Sequence, residues 1–222
     1  MTQEAGGADS GAGQLAPLRD LLRSGRPLTW LFAGDSITQG VQHTHGRRSW
    51  VEHVHERLRF QFGRPSDVLV NTGMSGWTAP MVLGEYDHLI GRFDPHVVSI
   101  ALGMNDAGIG PGGREDFRQA MDELTVRSAQ RGAFVVLHTP NAIAPGSFLD
   151  PDEVAEYAEL VRGVAAARGV LLVDHHAYWK ATFKDQPPYP WLDEPVHPGA
   201  AGHRQMADLT LCTLGLGPLE DW

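Results

Sequence analysis

The sequence predicts an α/β fold: a three-layer α/β/α sandwich around a parallel sheet of about five strands. Three observations lead there. Short apolar runs of strand character alternate along the chain with longer segments whose apolar residues recur at helical spacing. Several of the apolar runs stop at Gly or Asn, as strands do on entering loops. The chain of 222 residues shows no internal repeat and no break in composition, a size that suits one domain with a full hydrophobic core.

The elements follow in order. Residues 1–14 are Gly/Ala-rich and read as a flexible tail, leaving 15–222 as a single domain. Leu15 to Arg23 has the pattern of a short amphipathic helix, and Leu28 to Ala33, between Pro27 and Gly34, that of a buried strand. Ser49 to Phe62 places Val51, Val54, Leu58 and Phe62 at helical spacing. Val68 to Val70 is a strand ending at Asn71, and Ala79 to Ile90 a helix weakened by Gly84. His96 to Leu102 is a strand ending at Gly103, followed by a helix from Arg114 to Gln130 with Gly132 as its stop. Ala133 to Leu137 is a strand. Pro151 to Arg168 is a helix capped by Asp150, Val170 to Val173 the last strand, and Ala200 to Leu214 the closing helix. Thr139 to Leu149 and the proline-rich stretch Ala181 to Pro198 read as long loops.

Bulk properties exclude several functions. A net charge of −9 without any Lys/Arg cluster argues against a nucleic-acid partner. No segment is long and apolar enough to span a membrane. The N-terminus lacks the basic region and apolar core of a signal peptide, so a cytoplasmic location is expected. The lone Cys212 has no intramolecular disulfide partner and reads as a small buried hydrophobe.

In such a sheet ligands bind beyond the carboxyl ends of the strands, and there the sequence concentrates its chemistry. Gly34-Asp35-Ser36-Ile37-Thr38-Gln39-Gly40 follows the first strand directly. A serine at a sharp turn can act as a nucleophile once a base removes its proton. His197, in Asp193-Glu194-Pro195-Val196-His197, is the candidate base, with two preceding carboxylates able to orient its imidazole. Asn105, after the third strand, offers a side-chain amide to a developing oxyanion, and Gly76, after the second, a backbone N–H with no side chain in the way.

These four blocks, in this order, resemble the SGNH hydrolases, also called the GDSL esterase/lipase family, over most of the chain from Leu28 to about Leu214. The resemblance implies a flavodoxin-type sheet order and a serine esterase that needs no cofactor and no metal. In that family's pattern Ser36 is the nucleophile and His197 the base, while Ser36 N–H, Gly76 and Asn105 form the oxyanion hole. The pattern usually has Asp three residues before the histidine. Here Glu194 stands there, with Asp193 as the alternative orienter and a backbone carbonyl as a third option. The G-x-S-x-G elbow of α/β-hydrolases is absent, because Thr38 takes the last glycine position.

Other residues carry weaker expectations. Trp77, Trp191 and His43 are candidates for the substrate pocket. His45, Asp174 and His175 could join them. Asp35 and Asp106 read as structural hydrogen-bonding residues and Trp50 as core. The i, i+2 spacing of His53 and His55 is poor for a shared metal on a helix. The expected substrate is a short-chain ester, in particular an O-acetyl group on a sugar or small metabolite. An acyltransferase, a thioesterase, a lysophospholipase or a non-catalytic binding domain are the alternatives. A homodimer is the assembly considered.

Overall fold

A computed structural model of the protein describes residues 13–218; residues 1–12 of the expected tail and residues 219–222 lie outside the described residues. Its centre is a sheet of five strands, β1 (Thr29–Gly34), β2 (Val68–Asn71), β3 (Val97–Ala101), β4 (Phe134–His138) and β5 (Leu171–Val173), in the order β2-β1-β3-β4-β5. Every pairing is parallel, with Phe32 beside Asn71, Gly34 beside Ala101 and Ala101 beside His138. β1 lies inside the sheet, between β2 and β3, and is almost wholly buried, whereas the edge strand β2 leaves Val68 exposed. The chain runs from β1 out to β2 and returns on the other side as β3. The strand order therefore reverses at β1, which opens the crevice that binds ligands in sheets of this kind.

The helices are α1 (Ala16–Arg23), α2 (Ser36–Gln39), α3 (Trp50–Glu56), α4 (Ala79–Gly84), α5 (Tyr86–Leu89), α6 (Met104–Ala107), α7 (Arg114–Gln130), α8 (Pro151–Arg168), α9 (His175–Thr182) and α10 (Ala200–Thr213). Local chemistry sets their ends. Ser49 and Glu52 form a reciprocal capping box at the start of α3. Asp150 caps α8, Pro151 opens it, and Gly169 closes it in the left-handed region at φ 64°.

Several expectations need correction. The helix expected over 49–62 leaves α geometry at Glu56 and continues as one π-type turn, Arg57–Gln61. The helix expected over 79–90 is broken at Glu85, next to Gly84, into α4 and α5. Residues 175–182 are helical, with the Asp174 carboxylate accepting from Ala177 N at 3.0 Å as the cap. Cys212 is exposed, not buried: it follows the buried Leu211 by one position, which turns it away from the sheet. His175 does not line a pocket. It lies fully buried, its Nε2 3.1 Å from Nδ1 of His138, whose Nε2 is 2.6 Å from Ser99 Oγ. Burial keeps both rings neutral, holding His175 at about 3 and His138 well below the ordinary histidine value. Trp50 is core, fully buried between Phe32 and His138.

Candidate active site

The chain leaves β1 through a turn that only glycine permits at position 34. A Cβ there would overlap the Thr38 hydroxyl and stand 2.6 Å from the Ala101 carbonyl on β3. Asp35 is extended, and its buried carboxylate accepts from Ile37 N at 2.9 Å, capping α2. Ser36 thus occupies the first helical position, where a backbone N–H has no partner within the helix. Burial pushes the Asp35 carboxyl up to about 7 against the lowering effect of Ile37 N–H, and nearby Asp106 adds to the rise. Both carboxyls are structural, as the sequence suggests, since Asp106 accepts from Ala79 N at 2.9 Å.

The loops after β2 and β3 are tied to this turn. Asn71 Nδ2 donates to the Thr38 carbonyl at 2.8 Å, and Met74 N donates to the Gly34 carbonyl at 2.9 Å. The loop passes so close that a Cβ on Gly73 would overlap the backbone N of Gln39. Gly76 follows at φ 79°, a conformation that favours glycine. From the β3 side, Asn105 on α6 donates its Nδ2 to the Trp77 carbonyl at 3.0 Å, which leaves the second amide hydrogen available. Gly76, Trp77 and Asn105 are thereby brought together.

The fourth block arrives on a tight loop before α10. Leu192 and Pro198 pair across it, and Asp193 N donates to the His197 carbonyl at 2.9 Å. Two contacts brace it from the 139–149 loop: Ala144 N donates to the Pro195 carbonyl at 2.8 Å, and buried Asn141 Nδ2 to the Val196 carbonyl at 3.2 Å. Trp191 anchors the loop's start among Tyr178, Trp179 and Phe183. Nothing in the sequence marks Asn141 for this work, because its partner is a backbone carbonyl.

These supports place His197 Nε2 2.9 Å from Ser36 Oγ. On the other side of the ring, Nδ1 hydrogen-bonds Glu194 Oε1. A carboxylate can only accept, so Nδ1 carries the proton and Nε2 is left to accept from the Ser36 hydroxyl. Glu194 also accepts from His197 N at 2.8 Å and Val196 N at 3.1 Å. Burial alone would raise the Glu194 carboxyl, but those bonds hold it below its ordinary value. Burial lowers His197, Glu194 opposes this, and the net displacement is downward, so the ring is neutral near pH 7.

The alternative orienter, Asp193, is engaged elsewhere. Its carboxylate meets His45 Nε2 at 2.8 Å and His43 Nδ1 at 3.4 Å. Glu194 and Asp193 are adjacent in sequence yet serve different histidines. The His43 ring lies on that of His197, centroids 3.8 Å apart and planes inclined by 12°. Among the described residues, His43, Glu194 and His197 form the cluster whose ligand atoms come within 4.8 Å of one another. Stacked imidazoles aim their in-plane lone pairs side by side, so the two rings would have to unstack to share a metal. Among the described residues, no helix is long and apolar enough to cross a membrane.

Comparison with known proteins agrees with the geometry. Residues 32–205 match the GDSL-like Lipase/Acylhydrolase family. An uncharacterized protein of Mycoplasma pneumoniae is 32% identical over 142 residues, a match covering 60% of this chain but only 16% of that protein. An acetylxylan esterase of Geobacillus stearothermophilus is 26% identical over 204 residues, covering 83% of this chain and 93% of the relative. The crystal structure of a catalytic mutant of Axe2, an acetylxylan esterase from Geobacillus stearothermophilus, shares the fold with a TM-score of 0.74 at 23% identity, covering 88% of this chain and 97% of that one. The parallel sheet, the four ordered blocks and the match across 32–205 make this chain a member of the GDSL-like lipase/acylhydrolase family of carboxylic ester hydrolases, the SGNH hydrolases.

Proposed function

We propose that the protein is a serine esterase that removes short acyl groups, in particular O-acetyl groups from a sugar or small metabolite, through an acyl-enzyme. The reading is carried by one observation: the continuous relay from Ser36 Oγ through both nitrogens of His197 to Glu194. His197 Nε2 takes the Ser36 proton as Oγ attacks the ester carbonyl, and Glu194 stabilises the imidazolium that forms. The N–H groups of Ser36 and Gly76 and the free Asn105 amide hydrogen receive the oxyanion. Collapse expels the alcohol, which takes its proton from His197. Water then enters, His197 takes its proton as it attacks the acyl-Ser36, and the carboxylic acid leaves with Ser36 restored. The acetylxylan esterase likeness supports an acetylated sugar as the substrate class.

The test is hydrolysis of p-nitrophenyl esters from acetate to decanoate, with Ser36→Ala in parallel. The expected result is turnover on acetate that falls steeply with chain length and vanishes in the variant. Normal turnover by Ser36→Ala would end the mechanism, and a preference for decanoate would end the short-acyl reading.

A further inference from the structure

We propose that His43, held by Asp193, is a positioning residue that clamps the imidazole of His197 from its open face. The inference rests on His197 being the base. Glu194 and Ser36 hold His197 only along the line joining its two ring nitrogens. Hydrogen bonds at those two atoms do not by themselves fix the tilt of the ring about that line, which otherwise rests on the Cβ tether alone. The His43 ring, nearly parallel at 3.8 Å, restricts this tilt by lying flat against it. His43 is itself anchored through Nδ1 to Asp193, whose other carboxylate oxygen holds His45. Asp193 in turn belongs to the loop that carries His197, its N donating to the His197 carbonyl at 2.9 Å. The clamp therefore closes a circuit between the segment after α2 and the base loop, and the base rides inside it.

The stack is also electrical. His197 is faced by Glu194, Asp193, His43 and the buried His203, and His43 by Asp193, His197 and His203. The His43 ring lowers the proton affinity of His197 across the stack, which helps keep the base free. An uncharged side chain that merely filled the same space would remove this coupling.

The experiment compares His43→Ala, His43→Phe and wild type in full kcat and KM profiles against pH on p-nitrophenyl acetate. Thermal melts serve as a folding control, and fluorophosphonate labelling of Ser36 is compared with His197→Ala. The expected result is a fall in kcat of about tenfold or more for His43→Ala with KM little changed, since a misplaced catalytic group costs rate rather than affinity. His43→Phe, which restores the flat contact but carries no charge, recovers most of kcat. In both variants the acid limb of the profile moves to higher pH. Unchanged kcat and an unmoved acid limb in His43→Ala would overturn the proposal. So would a His43→Phe variant as slow as His43→Ala with raised KM, which would make His43 a substrate contact. Undiminished Ser36 labelling in His197→Ala would instead show that the base assignment itself is wrong.

Discussion

Replacing Glu194 by Gln isolates the charge behind His197 with the least change in shape. In the wild type the Glu194 carboxylate accepts from His197 Nδ1, His197 N and Val196 N. A glutamine placed with its oxygen toward Nδ1 keeps a neutral bond there but turns an amide donor toward Val196 N–H. A hydrogen bond to a charged group contributes about 1.5–3 kcal/mol against about 1 for a neutral one. At an effective dielectric of about 20, a charge pair at about 4 Å adds up to about 4 kcal/mol once the imidazolium forms. Losing about 3 kcal/mol of this in the transition state slows kcat/KM by about 150-fold. If the amide flips, its N–H faces Nδ1, the proton moves to Nε2, and Ser36 loses its acceptor; a wrong tautomer costs about 10⁴-fold. The expected loss for Glu194→Gln is therefore about 10²–10⁴-fold, against about tenfold or less for Asp193→Asn, which touches His43 and His45 instead. The assay is kcat/KM on p-nitrophenyl acetate, corrected for active sites by fluorophosphonate titration. A Glu194→Gln variant within tenfold of wild type beside a severely impaired Asp193→Asn would refute the assignment.

Three further outcomes are expected. The acid limb of kcat/KM should fall through a value below the ordinary 6.5 of histidine, because burial depresses His197; a limb above 7 would count against it as the base. Asp35→Asn keeps the cap on Ile37 N while removing a carboxyl whose pKa burial raises from 3.8 to about 7. The folded wild type thus binds the extra proton between these values, so the wild type loses stability relative to the variant as pH rises from 4 to 8, by up to about 4 kcal/mol. Urea unfolding at both pH values measures this, and an identical difference at the two would contradict it. Gly73→Ala should cost about 1–3 kcal/mol or more and lower kcat together with Tm, since the methyl has no room beside Gln39 N; a variant with wild-type Tm would show that the two loops are not packed this closely.

Much of the fold was legible in the chain. Strands buried on both faces read as continuous apolar runs, and caps such as Asp150-Pro151 and stops such as Gly169 act within a few residues of where they stand. The order of the four blocks places Ser36, Gly76, Asn105 and His197 at the same edge of the sheet, because each follows a strand or precedes the closing helix. Helix α9 is not expected from the sequence although its cap, Asp174, stands in plain view: its 8 residues are too few to set up a helical period, and the proline-rich stretch takes its last two, Ala181 and Thr182, into the loop.

The sequence by itself placed a serine and an amide just after strands and a histidine just before the closing helix, in the block order of an ester hydrolase family. It could not decide between Glu194 and Asp193, since adjacent residues on a loop point in directions set by the loop's pairing. The contact of Leu192 with Pro198 and the bracing by Asn141 and Ala144 turn Glu194 toward Nδ1 of His197 and Asp193 toward His43 and His45. Nor could it show that His43 lies flat on His197, because the two are brought together only when the loops after β1 and before α10 close over the same strand ends. Local propensity acts over a few residues, while the orientation of the His197 ring depends on partners more than a hundred residues away in the chain, which only the packed tertiary structure supplies.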